Sequence, residues 1–283
     1  MAEQLALGVI TRMQEEPRAA LLAAKELGLS TVQLGYPEHL NNPQGIETIR
    51  KAVEETGVEI TTVFCGFPGE SYADIPTVRA TVGLVPEETR PERVARVLEI
   101  AKFAYKIGVD RVAAHIGFIP EDETDPRYPA LVQTVQAICD ELGVSSQVFA
   151  LETGQETAAT LRRFIDDLKR DNIRVNFDPA NMILYGNDNP IEAMPILADW
   201  IDGVHCKDGV WPTEQQKAEN KLGVETPLGE GDVNISEWIK ALLATGFTGP
   251  LTIEREIHGE QQKKDILKAV ELLNGLIAEH RLC

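Results

Sequence analysis

Tyr105-Lys106-Ile107-Gly108-Val109-Asp110-Arg111-Val112-Ala113-Ala114-His115 holds the pattern that decides the fold. A helical stretch ends at a glycine, and a β-branched, apolar run begins within a few residues. Glycine past the last helical turn supplies the left-handed cap that a side chain would disfavour. The run that follows is too continuously apolar to leave one face in water, as befits a strand covered on both sides. Working outward, the same junction stands at residues 24–28 before 31–34, at 53–57 before 60–64, at 140–143 before 148–151 and at 243–246 before 251–253. Parallel strands sheathed by helices are implied.

Extended over the chain, the pattern predicts strands near residues 5–10, 31–35, 59–64, 111–115, 148–152, 174–178, 201–206 and 250–254. Helices are expected near 17–28, 43–57, 90–108, 127–143, 157–170, 190–199, 234–246 and 260–280, with the clearest helical period in 19–24 and 94–101. Eight alternations argue for a closed (β/α)8 barrel over an open doubly wound sheet, and 283 residues suit a barrel of roughly 250 residues with insertions. No shift in composition marks a second unit, so residues 1–283 read as one domain. Two connections are long for a barrel: 65–91 after the third strand and 209–233 after the seventh. Both leave the C-terminal ends of strands, the face that carries barrel active sites, and so predict rims or lids over a ligand.

Composition narrows the function classes. Hydrophobic residues at 43% and charged residues at 25% describe an ordinary globular chain. Against 45 Asp and Glu stand 27 Lys and Arg, and the net charge of -18 repels nucleic acid and anionic membranes. Met1-Ala2-Glu3-Gln4-Leu5 has no basic leader, and no apolar run approaches the roughly 20 residues that cross a bilayer, so a cytoplasmic protein is expected. Cys65, Cys139, Cys206 and Cys283 lack CxxC spacing and read as reduced thiols. The expected partner is a small molecule, and a homo-oligomer is compatible with the composition.

Polar groups at strand ends carry the chemistry. Glu152 ends Phe149-Ala150-Leu151, Asp178 ends Val175-Asn176-Phe177, His205 and Lys207 lie in Gly203-Val204-His205-Cys206-Lys207-Asp208, and Glu254 ends Leu251-Thr252-Ile253. Alone, each carboxylate could cap a helix or pair with a basic neighbour. Four potential ligands at the ends of the fifth to eighth strands are another matter, because consecutive strands are adjacent in a barrel and their C-terminal residues converge. Three carboxylates and an imidazole form a hard, anionic donor set that suits one divalent ion: Mn²⁺ foremost, with Mg²⁺, Co²⁺ or Zn²⁺ as alternatives.

With those residues in place the whole chain resembles the xylose isomerase-like barrels, in particular the sugar phosphate isomerase/epimerase group. That group includes ketose 3-epimerases, hydroxypyruvate isomerase and inosose dehydratase. The resemblance implies one metal held by Glu152, Asp178, His205 and Glu254. It also implies a substrate-contacting His115, after the fourth strand, and Lys207, in the family's His-x-Lys-Asp segment. Asn181 and Lys207 stand where ketose 3-epimerases carry a histidine and an arginine, which argues against a free ketohexose.

The expected function is therefore a metal-dependent isomerase or epimerase of carbohydrate metabolism. It would act on a sugar or polyol-derived ketone by proton transfer α to the carbonyl through an enediolate, with Glu152 and Glu254 as acid and base. Departure of a hydroxyl would make it a dehydratase instead. A silent sugar-binding barrel and an abasic-site endonuclease are the remaining alternatives; the paired glutamates argue against the first, five histidines and the acidic charge against the second.

Weaker signals come with competing readings. Trp211 is expected to stack on a sugar or to pack as a lid contact. Gln155 and Glu156 could bond hydroxyls or cap the helix near Thr157. Residues 228–232, with two glycines, form a phosphate cradle or a plain turn. Phe64, Phe67 and Tyr72 suit an apolar wall. Glu256 is expected to face outward, and His39, His258 and His280 to be surface residues.

Overall fold

The computed structural model describes residues 5–280. The leader reading of residues 1–4 and the thiol of Cys283 lie outside them. Eight parallel strands close into a barrel: β1 (Leu7–Arg12), β2 (Thr31–Gly35), β3 (Glu59–Phe64), β4 (Arg111–His115), β5 (Val148–Glu152), β6 (Ile173–Phe177), β7 (Ile201–Cys206) and, after a two-stranded excursion, β10 (Leu251–Ile253), which pairs with both β7 and β1. The excursion is an antiparallel ribbon, β8 (Asp208–Val210) with β9 (Val224–Thr226).

The outer ring consists of α1 (Pro17–Glu26), α2 (Pro43–Thr56), α4 (Arg90–Lys106), α5 (Arg127–Gly143), α6 (Ala158–Leu168), α8 (Pro190–Leu197), α10 (Ile235–Ala244) and α11 (Glu260–His280). Three short helices lie outside the expected set: α3 (Ile75–Thr81), α7 (Pro179–Tyr185) and α9 (Glu214–Ala218). Gly28, Gly57, Gly108 and Gly246 take the positive φ that the helix-to-strand junction asks for. Gly143 does not; α5 runs through it, and Ser146 adopts the left-handed turn at φ 56° instead.

Apolar strand residues and helix stripes form one continuous core. Trp238 of α10 is fully buried and lies with its ring 6.1 Å from that of Phe177 on β6. Truncating a fully buried aromatic of this kind costs about 3–5 kcal/mol.

Register sets up the site. His115 pairs with Glu152 across β4 and β5, Glu152 with Asn176 across β5 and β6, and His205 with Thr252 across β7 and β10. Partners across a ladder share a face, and residues two apart along a strand share it again. Asp178 and Glu254, two residues beyond Asn176 and Thr252, therefore join Glu152 and His205 on the barrel's inner side.

Both long connections cross that C-terminal mouth. The first carries α3, the second carries α9 and the ribbon, and the Ile75 N–H donates to the Asn220 carbonyl at 2.9 Å, tying one to the other.

Candidate metal centre

Glu152, Asp178, His205 and Glu254 each offer a ligand atom, and the four atoms lie within 4.8 Å of one another. His205 is the hub. Its Nδ1 lies 3.0 Å from Glu152 Oε1, 3.1 Å from Glu254 Oε2 and 3.5 Å from Asp178 Oδ2. Among the described residues, Asp178 Oδ2 and Glu254 Oε2 are buried and accept no hydrogen bond of proper geometry, with the Lys207 ammonium also beside them at 3.7 and 3.2 Å. Buried carboxylate oxygens left in that state call for a cation. An oxygen-rich set with one imidazole fits a divalent ion of the harder kind.

Asp178 divides its two oxygens between two tasks. It is the N-cap of α7, with Pro179 in the first turn, and Oδ1 accepts from the Asn181 N–H at 3.0 Å. Oδ2 is thereby turned toward His205. Helix capping and a place in the cluster are both true of this residue.

The outer ring of His205 is also fixed. Nε2 lies 2.8 Å from Gln33 Oε1, and Gln33 Nε2 donates to Asn176 Oδ1 at 3.1 Å. Gln33 and Asn176 are buried in the barrel interior. Since an amide oxygen only accepts, Nε2 carries the proton and leaves the Nδ1 lone pair for a cation. Gly203 makes room for this chain: a Cβ there would lie 2.5 Å from Asn176 Oδ1.

Electrostatics follow from burial and company. Burial opposes charge on His205, but Glu152 and Glu254 outweigh it and raise its pKa well above the ordinary value, so a cation at Nδ1 competes with a proton for that lone pair. The same contest on Lys207, with Glu254 and Asp178 as the main neighbours, keeps the ammonium charged. Glu254 resists burial through Lys207 and His205 and stays well below the usual carboxylate range. Desolvation wins at Asp178, which rises to about 6 despite Lys207.

Further polar side chains surround the cluster. Lys207 Nζ lies 3.2 Å from Glu254 Oε2 and donates to Asn181 Oδ1 at 3.3 Å. Asn181 Nδ2 donates to Glu152 Oε1 at 3.2 Å. His115 Nε2 faces Glu152 Oε2 at 3.5 Å, and its Nδ1 lies 3.3 Å from Gln155 Nε2, which also donates to the Tyr185 hydroxyl. A cavity of about 590 Å³ opens over the cluster, lined in part by Phe64, Phe67, Cys65 and Arg12. The Phe64 ring stands 5.4 Å from that of His205.

Of the residues expected to touch substrate, His115, Lys207 and Asn181 are thus gathered at the cluster. Trp211 is 37% exposed on the ribbon's loop and lines neither this cavity nor the one beside it that holds Asn181. Glu156 is buried off the cavity walls, and Thr157 rather than Gln155 or Glu156 caps α6.

Glu256 is exposed, as expected, but it does not turn away from Glu254: its Oε2 sits 3.3 Å from Lys207 Nζ, which also faces Glu254. His39 and His258 are exposed but line cavities that include Glu254. The two glycines of 228–232 do not offer their amides to a ligand: Gly229 and Gly231 donate to Asp208, as do Gly209 and Val233.

Gln33, Asn176, Gln155 and Tyr185 gain a place beside the centre, and of these sequence reading missed all but Gln155. A polar residue inside an apolar strand, as in Thr31-Val32-Gln33-Leu34 and Val175-Asn176-Phe177, was the available signal.

Comparison with known proteins places this geometry. Residues 21–276 match the family model of the xylose isomerase-like TIM barrel. A xylose isomerase domain protein from Planctomyces limnophilus is 40% identical and superimposes with a TM-score of 0.91 over 100% of both chains. The 3-keto-D-glucoside 4-epimerase from E. coli gives 0.73 at 16% identity, over 96% of this chain and 100% of that one. The probable 3-DHS dehydratase involved in petrobactin synthesis from Bacillus anthracis gives 0.71 at 17%, over 95% and 99%. An epimerase and a dehydratase thus share the architecture, which by itself does not select the reaction. On the family match and the full-length likeness, this chain belongs to the xylose isomerase-like TIM barrels.

Proposed function

We propose that the protein is a divalent-metal-dependent isomerase or epimerase that moves a proton α to the carbonyl of a sugar or polyol-derived ketone. The observation that carries this reading is the pair Glu152 and Glu254, which reach the same His205 Nδ1 from opposite sides of β7, Glu254 from the end of adjacent β10 and Glu152 from β5 beyond β6, at 3.0 and 3.1 Å, beneath an open cavity. Glu152, Asp178, His205 and Glu254 would hold one ion, with manganese our choice over magnesium, cobalt and zinc. When bound, such an ion supplies Lewis-acid polarisation of a hydroxy-ketone.

The chain's own residues supply the rest. Of Glu152 and Glu254, one is suited to take the proton from carbon and the other to return one from the other side. Return to the same carbon inverts it; return to the neighbouring carbon isomerises the ketone. Lys207 places a positive charge where the substrate oxygen becomes anionic, and Asn181 positions both Lys207 and Glu152. His115, steadied by Gln155, is placed to bond a substrate hydroxyl. Three buried, unpaired thiols fit a cytoplasmic site of action.

Turnover of a hydroxy-ketone in deuterium oxide tests the reading. Deuterium on the carbon beside the carbonyl is expected, with a loss of about 10²-fold or more in Glu152→Gln and Glu254→Gln. Rapid exchange in both variants would remove the two glutamates from the mechanism. Loss of water from the substrate would mark a dehydratase, and unlabelled substrate a binder.

A further inference from the structure

We infer that the substrate carries a carboxylate remote from its reacting carbonyl, and that Arg12 binds it. The inference rests on the function proposed above and names the class of compound that the same site takes. Arg12 ends β1 at the C-terminal mouth of the barrel, and β1 pairs with β10, whose chain leads directly into Glu254. Ile10 and Arg12, two apart on the strand, both line the 590 Å³ cavity over the cluster. Arg12 also lines the two adjoining cavities, one shared with Glu254, Glu256 and His258, the other with Asn181, Tyr72 and Tyr185. It therefore stands where the three spaces meet.

Its lack of a partner points to a ligand. Among the described residues, no carboxylate lies within ion-pair distance of the Arg12 guanidinium, and it donates no hydrogen bond. The other arginines of these walls are spoken for: Arg96 bonds Glu38 and the Gly66 carbonyl and lies over Tyr36, and Arg255 bonds Glu225 and Asp265. In a chain with 45 acidic residues and a net charge of -18, an arginine at a cavity mouth does not stay free for want of carboxylates. Glu254 and Glu256, which share a cavity with it, are engaged by Lys207 instead. A guanidinium left open there is a fork for a planar anion brought by the substrate.

The surroundings favour a carboxylate over a phosphate. A phosphate ester spreads its charge over three oxygens and is met in barrels by several donors, commonly backbone amides of glycine-rich loops. The glycine-rich candidate here, residues 228–232, already spends its amides on Asp208. One fork matches one carboxylate.

Three probes that differ only at C6 test this: D-fructose, D-fructuronate and D-fructose 6-phosphate. Their binding to the manganese-loaded full chain is measured by calorimetry for the wild type, Arg12→Met and Arg12→Lys. Arg12 is exposed and ends its strand, and circular dichroism checks that both variants fold.

The expected result is fructuronate binding at least about ten-fold tighter than fructose in the wild type. That ratio should fall to near one in Arg12→Met and be only partly kept in Arg12→Lys. Equal binding of the three, absence of binding to all, or a preference untouched by either substitution overturns the inference. An Arg12-dependent preference for the phosphate overturns the carboxylate assignment. Deuterium exchange run on the same samples separates the two failures. Exchange without a carboxylate preference sinks this inference alone, and the preference without exchange sinks the proton-transfer reading alone.

Discussion

Gln33 Oε1 lies 2.8 Å from His205 Nε2, and 172 residues of chain separate the two. The contact spans the barrel interior from β2 to β7 and settles which imidazole nitrogen faces the carboxylates. It is held from behind by Asn176, whose own space depends on the missing side chain of Gly203.

Replacing Gln33 with methionine keeps the volume and removes the acceptor. The expected outcome is a loss of about 10- to 100-fold in manganese affinity by titration calorimetry, with the fold retained. Gly203→Ala should reach the same affinity loss through Asn176, with a further destabilisation of about 1–3 kcal/mol in thermal unfolding. Unchanged affinity in both variants would mean that the chain of amides does not orient His205.

Glu156 gives a pH dependence that is independent of the cluster. Burial pushes its carboxyl up to about 8, against an ordinary value of 4.5, so the folded state holds the proton more firmly than the unfolded one. Stability from this group is complete below the unfolded value, falls as pH rises from about 4.5 to 8, and levels off above that. Within that window each pH step of one costs about 1.4 kcal/mol, so the total is a few kcal/mol. Glu156→Gln should flatten the urea midpoint across the window and stabilise the protein at pH 8. A wild type and variant with parallel pH profiles would show that Glu156 is ionised in the fold.

Asp208 anchors the second long connection by accepting from the amides of Gly209, Gly229, Gly231 and Val233. A Cβ on Gly231 would come within 2.7 Å of the carboxyl carbon, so the loop is wrapped tightly around it. Asp208→Ala leaves those amides without an acceptor, each loss costing about 1–3 kcal/mol where water cannot replace it. Hydrogen exchange should speed up across residues 224–233 while β4 to β6 stay protected. Uniform exchange over the whole barrel would show that Asp208 supports the core rather than the rim.

Much of the fold is legible in the chain itself. The glycine-terminated helices followed by apolar runs place eight strands and eight helices to within about three residues, because helix capping and strand burial are local requirements. Asp178 and Glu254 can be singled out as strand-end polar residues for the same reason. Glu256 is exposed as expected, but its contact with Lys207 lies beyond the end of β10, where no strand period applies. Short pieces such as α3, α7 and α9, at 7, 7 and 5 residues, carry too few turns to show a period.

Sequence by itself therefore determined the order of the barrel strands and outer helices, the closed parallel architecture and the four residues of the candidate centre, all of which follow from periodicity and from convergence at strand ends. Tertiary structure alone decided what each of those residues faces. Gln33 meets His205, Asn176 fills the space above Gly203, Asp208 occupies the glycine amides, and Arg12 finds no partner among the described residues. Each of these pairings, or the lack of one, depends on which distant segments the barrel brings within about 3 Å. Hydrogen bonds of that length are set by register and close packing across strands, which no local pattern encodes.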